Sequence, residues 1–147
     1  MRDVRILTDS FDPGAELARL EALDAGAVAS FTGLVRQDDG VEALTLEHYP
    51  GMTEKALDAL AQAAEARWQL AGVTVIHRVG RLEVGARIVF VGTASRHRHD
   101  ALEACTFLID RLKTDAPFWK QEHLKGADRW VAGRDSDAVA AARWEHG

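Results

Sequence analysis

Apolar residues recur with two different periods in this sequence, and each period predicts its own kind of element. Short apolar runs over 4–7 and 88–94 are typical of strands, and the second is continuous enough for a central strand covered on both faces. Alternation of apolar and polar residues over 73–79 predicts a half-buried strand. Helical spacing follows a capping pair, Asp12 and Pro13, and returns over 52–70 and 101–112. We expect a loop over 81–85 and a short strand over 129–132. With 147 residues and no visible boundary, the chain is predicted to form a single domain, residues 1–147.

A hairpin is predicted over residues 26–49, because two β-rich runs flank a polar segment that ends in Asp39-Gly40. The Asp-Gly pair is typical of tight turns between antiparallel strands. Arg36 falls where the first run ends beside the loop. An arginine in that place can bind an anion, although a solvated turn residue is the commoner explanation.

The chain is acidic overall but has a basic segment in its second half. A net charge of −5 argues against general nucleic-acid binding, which requires a basic surface. Between 96 and 129, however, basic residues and histidines cluster: Arg96, His97, Arg98, His99, Arg111, Lys113, Lys120, His123, Lys125 and Arg129. Such a patch suits an anionic small molecule or an anionic chain end. The sequence has no stretch of membrane-spanning length and no cleavage pattern, so a cytoplasmic protein is expected.

The segment KTDAPFWKQE, residues 113–122, concentrates candidate chemistry at the end of the third predicted helix. Pro117 cannot donate a backbone hydrogen bond and biases the preceding residue towards an extended conformation, so the helix should end near Thr114. Two aromatic residues then hold the following turn, and Lys120 with it, against the body of the protein. Two ammonium groups fixed close together lower a pKa or share an anion. The alternative is that Lys113 and Lys120 are solvated lysines beside ordinary core aromatics.

A helix of this length keeps its two ends too far apart for one small ligand. From Arg98 to Lys113 is fifteen residues, or roughly 22 Å along a helix. His97 and Arg98 would lie at the helix N-terminus, where backbone donors favour negative charge. If both ends are functional, the site is shared between subunits. An antiparallel homodimer would bring one chain's His97 and Arg98 to the other chain's lysines.

Several common kinds of catalytic site are not indicated. The six histidines form no HExxH pattern and no set with metal-ligand spacing, so neither a metal nor another cofactor is expected. The serines lack a GxSxG context, and no phosphate-binding glycine loop occurs. Cys105, the one cysteine, has helical spacing with apolar residues and is predicted to be a buried hydrophobic residue. His77 lies in a strand context and is predicted to be a hydrogen-bonded structural residue.

The segments GAVASFTGLVR, LEHYPGM, HRVGRLEVG, SRHR and LKTDAPFWKQE, in this order and spacing, closely resemble the large, catalytic subunit of molybdopterin synthase. The resemblance covers about residues 26–134 and implies an α+β protein, the α/β hammerhead fold with an additional antiparallel β-sheet. It also implies a homodimer that carries a small ubiquitin-like sulfur-carrier subunit at each end, which makes a heterotetramer. The implied reaction is a sulfur transfer in molybdenum cofactor biosynthesis. Sulfur from the carrier's C-terminal glycine thiocarboxylate passes to cyclic pyranopterin monophosphate and gives the dithiolene of molybdopterin.

Carried over by position, the resemblance implies roles for individual residues. Lys113 and Lys120 resemble the family's two essential lysines. The residues that resemble substrate-anchoring positions, or fall in the binding segment after the second lysine, are Arg36, His97, Arg98, Gln121 and Glu122. Arg134 resembles an arginine that reaches in from the neighbouring subunit.

Both implied reactants are anionic, so cations are needed to offset their repulsion. A rival interpretation from another class is a noncatalytic dimeric adaptor, whose basic groove captures acidic C-terminal tails. Under that interpretation the two lysines set partner affinity, and no product forms.

Overall fold

In the computed structural model, which describes residues 1–37, 40–124, 126–131 and Trp144, the chain forms two four-stranded β-sheets and three helices. The elements in chain order are β1 (Arg2–Leu7), α1 (Pro13–Glu21), β2 (Ala27–Leu34), β3 (Val41–His48), α2 (Met52–Arg67), β4 (Gly72–Arg78), β5 (Gly80–Glu83), β6 (Arg87–Ser95), α3 (Arg98–Asp115), β7 (Phe118–Leu124) and β8 (Ala127–Val131). This arrangement confirms the α+β class and the additional antiparallel sheet that the resemblance implied. None of the helices in these ranges is long and apolar enough to cross a membrane.

The first sheet has the strand order β1-β4-β6-β2, with β6 inside it and helices on both of its faces. Val89 and Val91 of β6 pack in the core cluster that contains α2 and α3. Phe90, between them, points to the other face and packs with Leu20 of α1. A Cβ added at Gly92 would lie 2.5 Å from Cδ1 of Leu20, so this glycine allows α1 to approach the sheet closely. The predicted central strand covered on both faces is confirmed.

The half-buried strand predicted over 73–79 is wrong in its burial. β4 is buried from Gly72 to His77, because Val73 and Val75 pack in the core cluster on one face of the sheet and Ile76 packs in the cluster on the other.

The predicted hairpin between the two runs of residues 26–49 is wrong. β2 pairs with β6 in the first sheet, whereas β3 pairs with β5 and β7 in the second. The chain leaves β2 at Val35, whose N–H donates to the carbonyl of Ala86 (2.9 Å) and whose carbonyl accepts from Gly85 (2.9 Å). These two bonds draw the chain towards the β5–β6 connection. Gly40 does adopt a turn conformation, with φ of 76°, but the strands on its two sides belong to different sheets.

The second sheet is antiparallel, with the order β5-β3-β7-β8, and it changes two further predictions. The loop expected over 81–85 is wrong for residues 81–83, which belong to β5 and pair with β3. Leu82 is buried opposite Leu44, while Arg81 and Glu83 face solvent. A charged edge strand of this kind resists pairing with other chains. The short strand expected at 129–132 is β8, which begins earlier, at Ala127; residue 132 lies outside the described residues.

Trp144 docks near the C-terminal half of α3, at the outer side of the larger core cluster. Its ring makes edge contacts with Phe107 (centroids 5.5 Å apart) and Trp68 (5.9 Å). Its indole N–H donates to the Asp110 carboxylate at 2.7 Å, and its carbonyl accepts from Arg67 at 3.1 Å. A buried indole with a satisfied N–H is a strong anchor for a chain segment. That all of residues 1–147 form a single domain stays a prediction.

Candidate functional site

Helix α3 ends where the sequence predicted. It extends from Arg98 to Asp115, one residue beyond the expected end, and Ala116 is extended with φ of −84° and ψ of 128°. The ring of Pro117 accounts for this end, because it disfavours a helical conformation in the residue before it. Lys113 therefore lies in the last turn of α3. Arg98 lies in the first turn, at the opposite end of the same helix.

The second lysine lies on a strand, and the expected turn after Pro117 is wrong. Residues 118–124 form β7, which pairs with β3 on one side and β8 on the other, so its backbone groups are satisfied within a sheet. Lys120 lies opposite Leu46, and Phe118 lies opposite His48. Since side chains alternate along a strand, Lys120 shares a face of β7 with Phe118 and Glu122, and Gln121 points to the other face.

His77 of β4 is a buried group on which the charges of both lysines act. Only 6% of the residue is exposed, and its ring stacks on Phe118 with centroids 3.8 Å apart and an interplanar angle of 18°. Its Nδ1–H donates to the carbonyl of Arg78 at 2.8 Å, which confirms the prediction that His77 is a hydrogen-bonded structural residue. Burial lowers the pKa of His77 to about 4. The hydrogen bond to Arg78 opposes that shift, and electrostatic interactions with Lys113, Lys120 and His48 add to it.

Both lysines therefore act electrostatically on one imidazole, Lys113 from the end of α3 and Lys120 from β7. The helix end and the strand are joined by only two residues, Ala116 and Pro117. Lys113 is exposed and Lys120 is half-buried, so both ammonium groups can meet a ligand from solvent. A neutral, buried imidazole beside two ammonium groups adds no further positive charge. The region can therefore bind an anion and offer it a proton.

Thr53 is a second buried polar residue, and it contacts the segment that leads into β7, the lysine strand that carries Lys120. It lies in the first turn of α2 and is fully buried. Its hydroxyl donates to the carbonyl of Pro117 at 3.1 Å and accepts from the backbone N–H of Tyr49 at 3.0 Å. One side chain thus joins α2, the end of β3 and the segment between α3 and β7. No sequence motif indicated this residue, because its partner lies 64 positions away.

The other predicted site residues lie in several parts of the chain, and one chain does not bring all of them to the two lysines. His97 and Arg98 are exposed at the N-terminus of α3, fifteen or more residues before Lys113, as the helix-length argument expected. Arg36 is exposed in the connection after β2 and takes part in an interaction within the chain. Glu122 accepts a hydrogen bond from Nε of Arg129 at 2.7 Å, so an arginine from β8 already neutralises its carboxylate. Arg134 lies outside the described residues.

Gly26 packs closely against the backbone of Ser95 and Arg96, just before His97. The backbone N–H of Gly26 donates to the carbonyl of Ser95 at 3.0 Å. A Cβ added at Gly26 would lie 2.3 Å from the carbonyl oxygen of Arg96. A side chain at this position would therefore displace the backbone immediately before the His97–Arg98 pair.

An open aromatic cleft of about 320 Å³ lies beside the lysine strand, lined by Glu47, His48, Tyr49, Trp119 and Trp130. Tyr49 and Trp119 meet edge to face, with centroids 4.5 Å apart. Both rings are substantially exposed. By strand alternation, Trp119 and Lys120 point to opposite faces of β7.

The structure bears out the sequence interpretation of the cysteine and adds an observation on metals. Cys105 is buried within the larger core cluster, and burial raises the pKa of its thiol to about 12. A thiol in this state is a poor nucleophile. In the part of the chain that the structure describes, no group of three or more histidine, cysteine, aspartate or glutamate side chains could hold a metal ion.

These features indicate the class of protein: an α+β protein whose cationic site is built from a helix end and a strand and is suited to anionic ligands. Comparison with known proteins then gives the family. The model of the family described as "MoaE protein" matches residues 6–115, which is most of the chain and includes His97, Arg98 and Lys113. The chain belongs to the MoaE family.

Individual relatives agree over nearly the whole length. The chain is 53% identical to the molybdopterin synthase catalytic subunit of Pseudomonas aeruginosa, over 97% of this chain and 98% of that protein. The solved molybdopterin biosynthesis MoaE protein of Burkholderia ambifaria is 49% identical, with a TM-score of 0.85 over 98% of each chain. Molybdopterin synthase from Staphylococcus aureus is 30% identical, with a TM-score of 0.80 over 86% of this chain and 95% of that one. These alignments extend past residue 115 and so include the lysine strand in the comparison.

Proposed function

We propose that this chain is the catalytic subunit of a molybdopterin synthase and acts as a sulfurtransferase. It moves sulfur from the C-terminal thiocarboxylate of a small sulfur-carrier subunit to cyclic pyranopterin monophosphate, and the product is the dithiolene of molybdopterin. The observation that carries the proposal is that Lys113, in the last turn of α3, and Lys120, on β7, lie on either side of the two-residue link between these elements, and that the charges of both act on the buried His77, whose ring stacks on Phe118. Family membership and the names of the relatives support the same reaction.

The charges of the site suit this pair of reactants. A thiocarboxylate and a cyclic phosphate are both anionic, so their approach is unfavourable unless cations lie between or beside them. Two ammonium groups supply that charge, and both are accessible to some degree while the imidazole between their elements is buried. Stabilisation of developing negative charge by fixed cations is commonly the largest contribution to catalysis in such transfers.

The two lysines have different surroundings, and we propose different roles for them. Lys120 is half-buried on a strand held from both sides, and it orients the thiocarboxylate or takes part in proton transfer. Lys113 is exposed at a helix end, and it protonates or electrostatically stabilises the group that leaves during sulfur transfer and phosphate opening. Arg36, His97, Arg98, Gln121 and Glu122 are proposed to anchor the substrate, together with Arg134.

The proposed assembly follows from the length of α3. Arg98 and Lys113 lie at opposite ends of one helix, so a single chain does not bring both to one small ligand. We propose an antiparallel homodimer in which His97 and Arg98 of one chain complete the lysine site of the other. A sulfur carrier at each of the two sites makes a heterotetramer. The expected cytoplasmic location stays a prediction.

A reconstitution assay tests the proposal directly. The purified chain is incubated with thiocarboxylated carrier and cyclic pyranopterin monophosphate, and dithiolene formation is followed. The matched control uses the same carrier with an ordinary C-terminal carboxylate, which binds but has no sulfur to give. Product with the first carrier and none with the second is the expected result. Carrier binding without any product in either reaction would favour the noncatalytic adaptor.

A further inference from the structure

We propose that Thr53 and His77 are positioning residues of the lysine site, acting together through Pro117 and Phe118 to fix Lys120 relative to Lys113. This inference rests on the proposed function. It concerns residues that would touch neither reactant and that belong to two elements, α2 and β4, which carry no proposed catalytic group.

Thr53 fixes the backbone at the start of the lysine strand. Pro117 has no N–H, so its carbonyl is the only backbone group through which this residue can be held by a hydrogen bond. That carbonyl accepts from the hydroxyl of Thr53, which is fully buried and accepts in turn from Tyr49. Loss of the hydroxyl would leave the Pro117 carbonyl and the Tyr49 N–H without this partner, and buried groups in that state favour rearrangement of the backbone.

His77 fixes the side chain of Phe118, the residue after Pro117. Its ring lies nearly parallel to the ring of Phe118, and its own orientation is set by the bond from Nδ1–H to the carbonyl of Arg78. Phe118 and Lys120 are two residues apart on β7 and share one face of the strand. A tilt of Phe118 would therefore be passed to Lys120 through a very short length of backbone.

The two contacts converge on adjacent residues between the lysines. Lys113 precedes Pro117 by four residues and Lys120 follows it by three. Only Ala116 and Pro117 separate the end of α3 from the start of β7, so this short link sets how the helix end meets the strand. Misplacement of a catalytic group by about 1 Å can lower a rate by roughly 100-fold. The link is therefore a place where small changes in packing should have large effects on transfer.

The test compares variants that remove each contact with variants that keep it. Thr53→Val preserves the shape of the side chain but removes the hydroxyl, whereas Thr53→Ser keeps the hydroxyl. His77→Leu removes the stacked ring, whereas His77→Phe keeps a ring against Phe118. Under single-turnover conditions with bound carrier, we expect Thr53→Val and His77→Leu to slow sulfur transfer about 10- to 100-fold. Thr53→Ser should stay within about 3-fold of the unchanged chain. His77→Phe should be faster than His77→Leu, because it keeps the ring against Phe118 although the bond to the Arg78 carbonyl is lost; the carrier Kd should change little in all four.

Thr45→Val is the matched control. The Thr45 hydroxyl also makes a bond between β3 and β7, to Nε2 of His123 at 2.6 Å. It lies on the face of β7 opposite Lys120, by strand alternation. We expect this variant to transfer sulfur within about 2-fold of the unchanged chain even where its melting temperature falls as far as that of Thr53→Val.

A second readout needs no reactant. Reductive methylation with ¹³C labels lysine amines and keeps their charge, so the NMR signals of Lys113 and Lys120 report their surroundings. These signals should shift in Thr53→Val and His77→Leu and stay in place in Thr45→Val. Equal rates and unmoved signals in Thr53→Val and Thr45→Val would overturn the inference, as would equal losses in Thr53→Val and Thr53→Ser. If Thr53→Val does not fold, the comparison of His77→Leu with His77→Phe decides the matter.

The failure of this inference can be told from the failure of the proposed function. If the unchanged chain forms no dithiolene, the proposed function is wrong. If the unchanged chain is active and both Thr53→Val and His77→Leu match it, only the positioning role is wrong.

Discussion

Mixing two inactive variants should restore activity if the site is shared between subunits. The pair to mix is Lys113→Ala and Arg98→Ala, because these residues lie at opposite ends of α3. Their separation of fifteen residues corresponds to roughly 22 Å along the helix axis. In a shared site, Lys113 and Lys120 of one chain bind the substrate together with Arg98 of the other chain.

The expected recovery follows from counting sites. In a heterodimer of the two variants, one site receives both defects and the other receives none. Random assembly from equal amounts gives about one half heterodimers, so about one quarter of all sites should be intact. A heterodimer isolated with two different affinity tags should reach about one half of the activity of the unchanged dimer.

The assay is dithiolene formation by co-expressed, doubly purified chains, with each variant alone as the baseline. The control mixture is Lys113→Ala with Lys120→Ala, two residues whose charges act on the same His77 within one chain. That mixture should stay inactive, since every site then keeps one damaged lysine. If the first mixture also stays at baseline although heterodimers are recovered, the shared site is refuted.

Three further predictions concern the surroundings of the site and the core. Gly26→Ala should lower transfer at least about 10-fold in single-turnover assays, because its Cβ would displace the carbonyl of Arg96 beside His97; an unchanged rate would contradict the proposed anchoring role of His97. Cys105 should resist iodoacetamide at pH 8 in the folded chain and react after unfolding, because burial raises the pKa of the thiol to about 12; rapid labelling of the folded chain would refute this. Trp144→Ala should lower the free energy of unfolding by about 3–5 kcal/mol in urea titrations, since a buried indole and its hydrogen bond are lost; a change below about 1 kcal/mol would show that the docked position contributes little.

Local signals in the sequence predicted several elements well, because the structure agrees with them at short range. The Asp12-Pro13 pair does begin α1, with the Asp12 carboxylate accepting from the N–H of Gly14 at 3.0 Å. Pro117 does end α3 by holding Ala116 extended. The continuous apolar run at 88–94 is a central strand, because helices cover both of its faces.

Predictions that depended on pairing partners were less successful. Gly40 makes a turn, but nothing near it in the sequence reveals that β2 and β3 join different sheets. Likewise, the residues after Pro117 were expected to form a turn, whereas pairing with β3, about 75 residues earlier in the chain, makes them a strand. The contact of Thr53 with Pro117 is equally remote in sequence. The candidate cations could be found from charge and resemblance, but the buried groups that hold them could not.

The most direct test of the roles of Lys113 and Lys120 replaces each lysine separately and measures single-turnover sulfur transfer and carrier affinity side by side. Lys113→Ala and Lys120→Ala are compared with Lys55→Ala, which removes an exposed lysine that belongs to α2 and to neither α3 nor β7. We expect each site variant to lose at least about 100-fold in transfer rate with carrier fully bound, and Lys55→Ala to retain the normal rate. Near-normal rates in both site variants, or losses that disappear once carrier is saturating, would contradict the claim that these two lysines carry the chemistry.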